Sequence, residues 1–281
     1  DEIGLGELFP AEQEAEILDL SAFDVPAGTS LADALDMNDI LLEIDNKSMT
    51  NRPDLWGHYG IAREIAALYD LPLKEIKPFE TDIRSDFKVE IEAPDRCPRL
   101  MGVEMSGVYV KPAPYQMQNR LWKAGMRPIN ALVDITNYVM LATGSPSHAY
   151  DADNIVDHIV VRHAKEDEKL ILLNDKELDL CTDDLVITDG EGPVGLAGVM
   201  GGAKDSILPK TERVILEVAN FDAAGIRRTA LRYDNRTEAS ARYEKAIDPE
   251  RCEQAVALSM HYFKELYPEL KVTGFCDNYV K

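Results

Sequence analysis

Apolar and polar positions change their period several times along this chain, and each change predicts an element. The first 30 residues are polar and acidic, with Pro10, Pro26 and Gly28 and no sustained period, so they read as connecting structure. Residues 41–45 (LLEID) form a strand candidate. After NRPD, where Pro53 suits a first helical turn, residues 54–69 put Ile61, Ile65 and Leu68 on one helical stripe. Pro72 and Pro78 mark a boundary near 71–85.

Strand signals then take over. Residues 87–92 and 100–110 alternate, the second run interrupted by Gly102 and Gly107. Residues 112–125 read as a helix stopped by glycine. Asn130 can cap another helix that carries Leu132, Ile135 and Val139 on a stripe and ends before Gly144. Short strands follow at 158–164, 170–173, 185–188 and 194–197, spaced by acidic and glycine turns. Residues 214–219 make an almost wholly apolar strand. Helices are expected at 222–233, near 238–246, and from Asp248-Pro249 to Pro268. Strands do not alternate regularly with helices, so the pattern predicts an α+β fold with a mixed or antiparallel β-sheet core and flanking helices, not a doubly wound sheet.

Charge sharpens the division. The chain has 281 residues and a net charge of −21. Residues 1–75 hold 17 acidic and 4 basic side chains, a balance of −13, which leaves −8 for the rest. That field argues against a chain that grips nucleic acid through its overall charge, while a local basic surface can still meet a polyanion. Cys97, Cys181, Cys252 and Cys276 stand far apart with no CxxC pair, a spacing that predicts reduced thiols and neither a zinc site nor a disulfide framework. No apolar run approaches the length of a membrane span. Walker, dinucleotide-binding, zinc-protease and serine-hydrolase motifs are all missing from the sequence.

Five features carry candidate chemistry. Glu217 interrupts VILEVANF, and a buried glutamate must either find a hydrogen-bonded partner or line a cavity. GLAGVMGG (195–202) lets backbone approach something closely, or simply forms a tight irregular turn. His148, in PSHAYD, is a structural histidine or a working one. Thr136 and Asn137 lie inside a helix that favours neither, so each is expected to point at something polar. Arg227, Arg228, Arg232 and Arg236 form a basic cluster that is a solvated face or an RNA contact.

In combination these segments are specific. The ordered blocks NRPDLWGHYGIAREIAALY, RPINALVDITNYVM, PSHAYD, GLAGVMGG, VILEVANF and RTEASARYEKAIDP resemble the β subunit of bacterial-type phenylalanyl-tRNA synthetase, from about residue 41 to 249. The resemblance implies that 1–75 are the C-terminal part of the preceding structural domain with a linker, and that 76–281 are the B3/B4 editing domain. It implies hydrolysis of tyrosine mischarged onto the phenylalanine tRNA.

The pocket residues it implies are Thr136, Asn137, His148, Ala197, Gly198 and Glu217. His148, Glu217, Thr136 and Asn137 are the catalytic set, and Ala197, Gly198, Glu217 and His148 hold the substrate, with Ala197 as a size gate. Ser147 and Tyr150 differ from the Met and Phe often found beside that histidine. No metal or cofactor is expected in this segment; ATP and Mg are implied for the parent enzyme at the α-subunit site. The implied partners are the synthetase α subunit and the 3′ end of tRNA(Phe), in a cytoplasmic α₂β₂ heterotetramer with no membrane contact.

No nucleophilic Ser or Cys stands out, so direct attack of water on the ester is expected, with amides of 198–202 available to the developing oxyanion. Glu217 then acts chiefly in specificity, while His148 either orients water or binds the phenol. Two competing readings are a non-catalytic RNA-docking or assembly module and a free-standing deacylase.

Overall fold

In the computed structural model, residues 5–6, 8–9, 19–21, 23–204 and 206–280 are described. Half of the expected N-terminal connecting stretch lies outside them. The architecture is α+β, as the mixed periodicity predicts.

Eleven strands are described: β1 (Val89–Ile91), β2 (Arg99–Ser106), β3 (Ser147–Asp151), β4 (Ile159–His163), β5 (Lys169–Ile171), β6 (Glu177–Asp179), β7 (Leu185–Thr188), β8 (Pro193–Leu196), β9 (Met200–Gly201), β10 (Arg213–Asn220) and β11 (Lys271–Tyr279). The helices are α1 (Leu31–Ala34), α2 (His58–Tyr69), α3 (Tyr115–Lys123), α4 (Ala131–Thr143), α5 (Ala223–Arg232), α6 (Glu238–Tyr243) and α7 (Arg251–Leu266). A four-stranded antiparallel sheet runs β11-β2-β10-β3, and a five-stranded sheet runs β1-β4-β7-β8-β9, parallel only between β1 and β4.

The almost continuous apolar run of β10 has a direct cause. The strand lies between β2 and β3 and is covered on both faces. Val214, Leu216 and Val218 join a core with α3, α4 and α7, while Ile215 and Ala219 join a second core shared with the five-stranded sheet. Side chains alternate across a strand, so Glu217 belongs with Ile215 and Ala219, between the two sheets.

Local signals set the elements that frame this region. The Asn130 side chain accepts from the amides of Leu132 and Val133, and Gly144 ends α4 at φ 75°. At the far edge, the buried Arg99 guanidinium makes a fork to Asp277 at 3.0 and 2.7 Å and reaches Glu253 at 2.7 Å, which ties β11 to α7.

One expected strand is absent. Residues 41–45 adopt no regular structure, and Leu41 and Leu42 are exposed. A strand needs a neighbour for its backbone groups, and no described segment supplies one here. The helix expected at 54–69 is split into a 3-10 turn, Pro53–Trp56, and α2, with Gly57 between them packed against Gly144. Four strands, β3, β6, β9 and β11, were not legible as strands in the sequence.

Candidate functional site

The pairing of β3 with β10 sets His148 directly opposite Glu217. Residues opposite each other in an antiparallel pair share a face, with Cβ atoms about 5 Å apart. Both side chains therefore enter the space between the sheets, where they line one cavity of about 80 Å³. Tyr150 lies two residues along β3 on the same face, its ring 4.5 Å from that of His148 at 67°.

The hairpin between β8 and β9 closes the other side. Its turn is held by the Val199 amide donating to the Leu196 carbonyl at 3.0 Å, with Gly198 at φ +67° in the third position. A turn of this type needs a residue that accepts positive φ. Gly198 is constrained a second time: a Cβ there would lie 3.0 Å from Phe221 and 3.1 Å from Tyr243. Tyr243 in turn donates its hydroxyl to the carbonyls of Ala219 at 3.0 Å and Pro146 at 3.2 Å. Its polar end is thus engaged by β10, which carries Glu217, and by the residue just before β3, which carries His148.

The electrostatics of the pair are unusual. Glu217 is 4% exposed, and its carboxyl has no hydrogen-bond or ion-pair partner among the described residues. Burial alone pushes its pKa up to about 8. Burial likewise pushes His148 down to about 4. His148 Nε2 is wholly buried and makes no hydrogen bond. At pH 7 the cavity therefore holds a largely protonated carboxyl group facing a neutral imidazole. An uncharged group on each side can still hydrogen-bond: the acid offers one donor and one acceptor, and the unpartnered ring nitrogen offers another site.

The remaining expected residues divide. Gly198 lines the cavity beside Glu217 and His148. Ala197 does not; it is fully buried in the same turn, between the lining residues Leu196 and Gly198. A larger side chain at Ala197 would therefore act by shifting the turn, not by filling the cavity. Thr136 and Asn137 are not among the residues lining this cavity either. They sit on α4, which packs on the opposite face of the four-stranded sheet, and the Thr136 hydroxyl donates to the Val133 carbonyl of its own helix at 2.7 Å. That bond answers the helix-propensity puzzle locally.

Among the amides of 198–202, those of Val199 and Gly202 are spent on the carbonyls of Leu196 and Val194. The Gly198 amide makes no hydrogen bond among the described residues. The basic cluster is mostly engaged: Arg228 and Arg232 turn to Asp183, Arg232 also to Asp184, and Arg236 to Glu244.

Sequence reasoning missed Phe221, Met200 and Tyr243 as lining residues. Phe221 closes the VILEVANF run and Tyr243 lies within RTEASARYEKAIDP, so both stood inside recognised segments without any chemical signal of their own. Among the described residues no group of three His, Cys, Asp or Glu side chains is arranged to hold a metal ion, and no helix is long and apolar enough to cross a membrane.

A family model described as the B3/4 domain matches residues 96–268. The chain is 43% identical over 241 residues to the phenylalanine–tRNA ligase beta subunit of Solibacter usitatus, covering 84% of this chain and 31% of that protein. It is 39% identical over 281 residues to the corresponding subunit of Halalkalibacterium halodurans, covering 98% of this chain and 34% of that one. The chain thus spans about a third of the length of the curated relatives it matches. A solved N-terminal fragment of the phenylalanyl-tRNA synthetase beta subunit from Pyrococcus horikoshii aligns with a TM-score of 0.40 at 19% identity, over 69% of this chain and 63% of that one, a likeness too loose to argue from.

Proposed function

Because this chain belongs to the B3/4 domain family, we propose that it is the editing part of a phenylalanine–tRNA ligase beta subunit and hydrolyses the ester of tyrosine mischarged onto tRNA(Phe). The observation that carries this reading is the pair Glu217 and His148, opposite each other on neighbouring strands and lining one cavity, with burial as the sole cause of Glu217's raised pKa and no hydrogen bond on His148 Nε2.

A pocket selective for phenylalanine rejects an analogue with one added hydroxyl only weakly, by roughly 10²-fold. A second pocket that requires the hydroxyl reverses the selection. A tyrosine phenol can donate to His148 Nε2 and accept from the protonated Glu217. Phenylalanine would leave both groups buried and unpaired, at a cost of roughly 1–3 kcal/mol each. This recognition is between neutral groups. Entry of a ring needs room: the 80 Å³ cavity is smaller than the ~150 Å³ in which benzene sits. Met200, unbranched and partly buried in the lining, is the side chain suited to give way.

The step is attack of water on the ester carbonyl carbon, with departure of the ribose oxygen as it takes up a proton. The Gly198 amide is the donor available to the oxyanion. Residues 1–75 belong, on this reading, to the preceding domain of a cytoplasmic parent that pairs with an α subunit as α₂β₂ and uses ATP and Mg at the α-subunit site. The test is deacylation of preformed tyrosyl- and phenylalanyl-tRNA by the assembled enzyme. Tyrosine-selective hydrolysis should fall ~10²-fold or more in Glu217→Ala. Hydrolysis indifferent to that change moves the chemistry elsewhere, and no hydrolysis at all leaves a module that docks RNA or holds the assembly.

A further inference from the structure

We infer that Gly201 is a positioning residue of this site: the side chain it lacks leaves the space in which the His148 imidazole is seated. Only the kinetic arm of its test rests on the hydrolytic reading above. A Cβ placed on Gly201 would lie 2.6 Å from His148 Cε1 and 2.7 Å from its Nε2. Carbon atoms in contact settle about 3.5–4.0 Å apart, so a methyl group there displaces the ring by about 1 Å. The ring has little freedom to absorb that shift, because Tyr150 stands edge-on 4.5 Å from it and Leu173 Cδ1 would lie 3.3 Å from the same methyl.

The topology explains why this contact matters. Gly201 belongs to the five-stranded sheet, where β9 pairs it with Gly195 of β8, while His148 belongs to the four-stranded sheet. Gly201 and His148 are thus a point where the two sheets touch. Their closeness sets where Nε2 stands relative to Glu217 and the cavity. Gly202, one residue on, provides a control of a different kind. A Cβ there would lie 2.6 Å from the Val194 carbonyl oxygen, a backbone atom unrelated to the imidazole.

The test is a double-mutant cycle in the assembled enzyme, made from Gly201→Ala, His148→Ala and their combination, with Gly202→Ala as control. Tyrosyl-tRNA deacylation and Tm are both read. Gly201→Ala should lower kcat by ~10²-fold, the usual penalty for misplacing a working group by 1 Å, and should lower Tm. In the His148→Ala background the same methyl should cost no further rate and little further Tm, because its obstacle is gone. Gly202→Ala should lower Tm equally in both backgrounds.

An equal Tm loss from Gly201→Ala with and without His148 would overturn the inference. If Gly201→Ala alone fails to fold, folding of the double variant supports the seat and its failure overturns it. Absence of tyrosine-selective hydrolysis in the unmodified enzyme would sink the hydrolytic reading, while the Tm cycle would still decide the seat.

Discussion

Two buried carboxyl groups in this molecule have opposite surroundings. Asp184 has no exposed side-chain surface and is fully engaged. It accepts from the Thr229 hydroxyl at 2.9 Å, the Tyr233 hydroxyl at 2.5 Å and the Cys181 amide at 2.8 Å, and it pairs with Arg232. Glu217 is also buried, at 4% exposed, and no hydrogen bond or ion pair offsets its burial. Asp184 joins the turn before β7 to α5 and the residue after it, as a structural carboxylate does. Glu217 has a cavity and a neutral histidine in front of it. Burial of an acid is therefore not the informative observation; the absence of internal partners is. The fold satisfies one acid internally and leaves the other facing a cavity.

The largest effect expected from this contrast is a pH-dependent gain in stability on replacing Glu217. An exposed glutamate releases its proton near 4.5, whereas the buried Glu217 holds it to about 8. Folding then takes up a proton between those values, so this group's contribution to stability falls as pH rises from 4.5 to 8. Glu217→Gln removes that dependence. The variant should match the unmodified protein near pH 4 and exceed it at pH 8 by several kcal/mol, read from chemical denaturation across pH. His148 works in the other direction: folded neutral, it lowers stability as pH falls from 6.5 toward 4. A flat difference between Glu217→Gln and the unmodified protein would remove the claim that Glu217 is unsatisfied.

Asp184→Ala should do the reverse of Glu217→Gln. It strands two hydroxyls and an amide and should destabilise the protein by about 3 kcal/mol, with no change in the ratio of tyrosyl to phenylalanyl hydrolysis. A shift in that ratio larger than the loss of total activity would blur the distinction between the two acids. The smallest effect is expected from Thr136→Val. It gives up one hydrogen bond to the Val133 carbonyl and should cost less than about 1 kcal/mol, with selectivity intact. A tenfold loss of selectivity there would return Thr136 to the pocket and require α4 to approach it.

Much of this site was legible before the fold was known, and the reasons differ residue by residue. Glu217 stood out because a charge-bearing side chain interrupts an apolar run, which is a one-dimensional signal. The cap at Asn130 and the stop at Gly144 were legible because they depend only on nearby backbone. The partnership of Glu217 with His148 could not be read from the residues themselves, since it depends on the register of β3 against β10, about 70 positions apart in sequence. β3 was missed because its five residues, SHAYD, include few of the β-branched and apolar residues that mark a strand, and β9 because two residues carry no period. Thr136 was placed in the pocket by resemblance, and its helix puts it across the sheet. Residues 41–45 have the alternation of a strand, yet a strand forms only with a neighbour.

The most direct test compares two replacements of Glu217 at pH 7 in the assembled enzyme, each assayed on tyrosyl- and phenylalanyl-tRNA. If the working group is a neutral acid that completes its hydrogen bonds with a phenol, Glu217→Gln, neutral and able to donate and accept, should keep tyrosine-selective hydrolysis within ~10-fold of the unmodified rate. Glu217→Ala should lose ~10²-fold or more, because it offers the phenol nothing. Equal loss in both variants would show that a carboxylate charge is required, and an unchanged rate in both would place the selecting group elsewhere; either result contradicts the account.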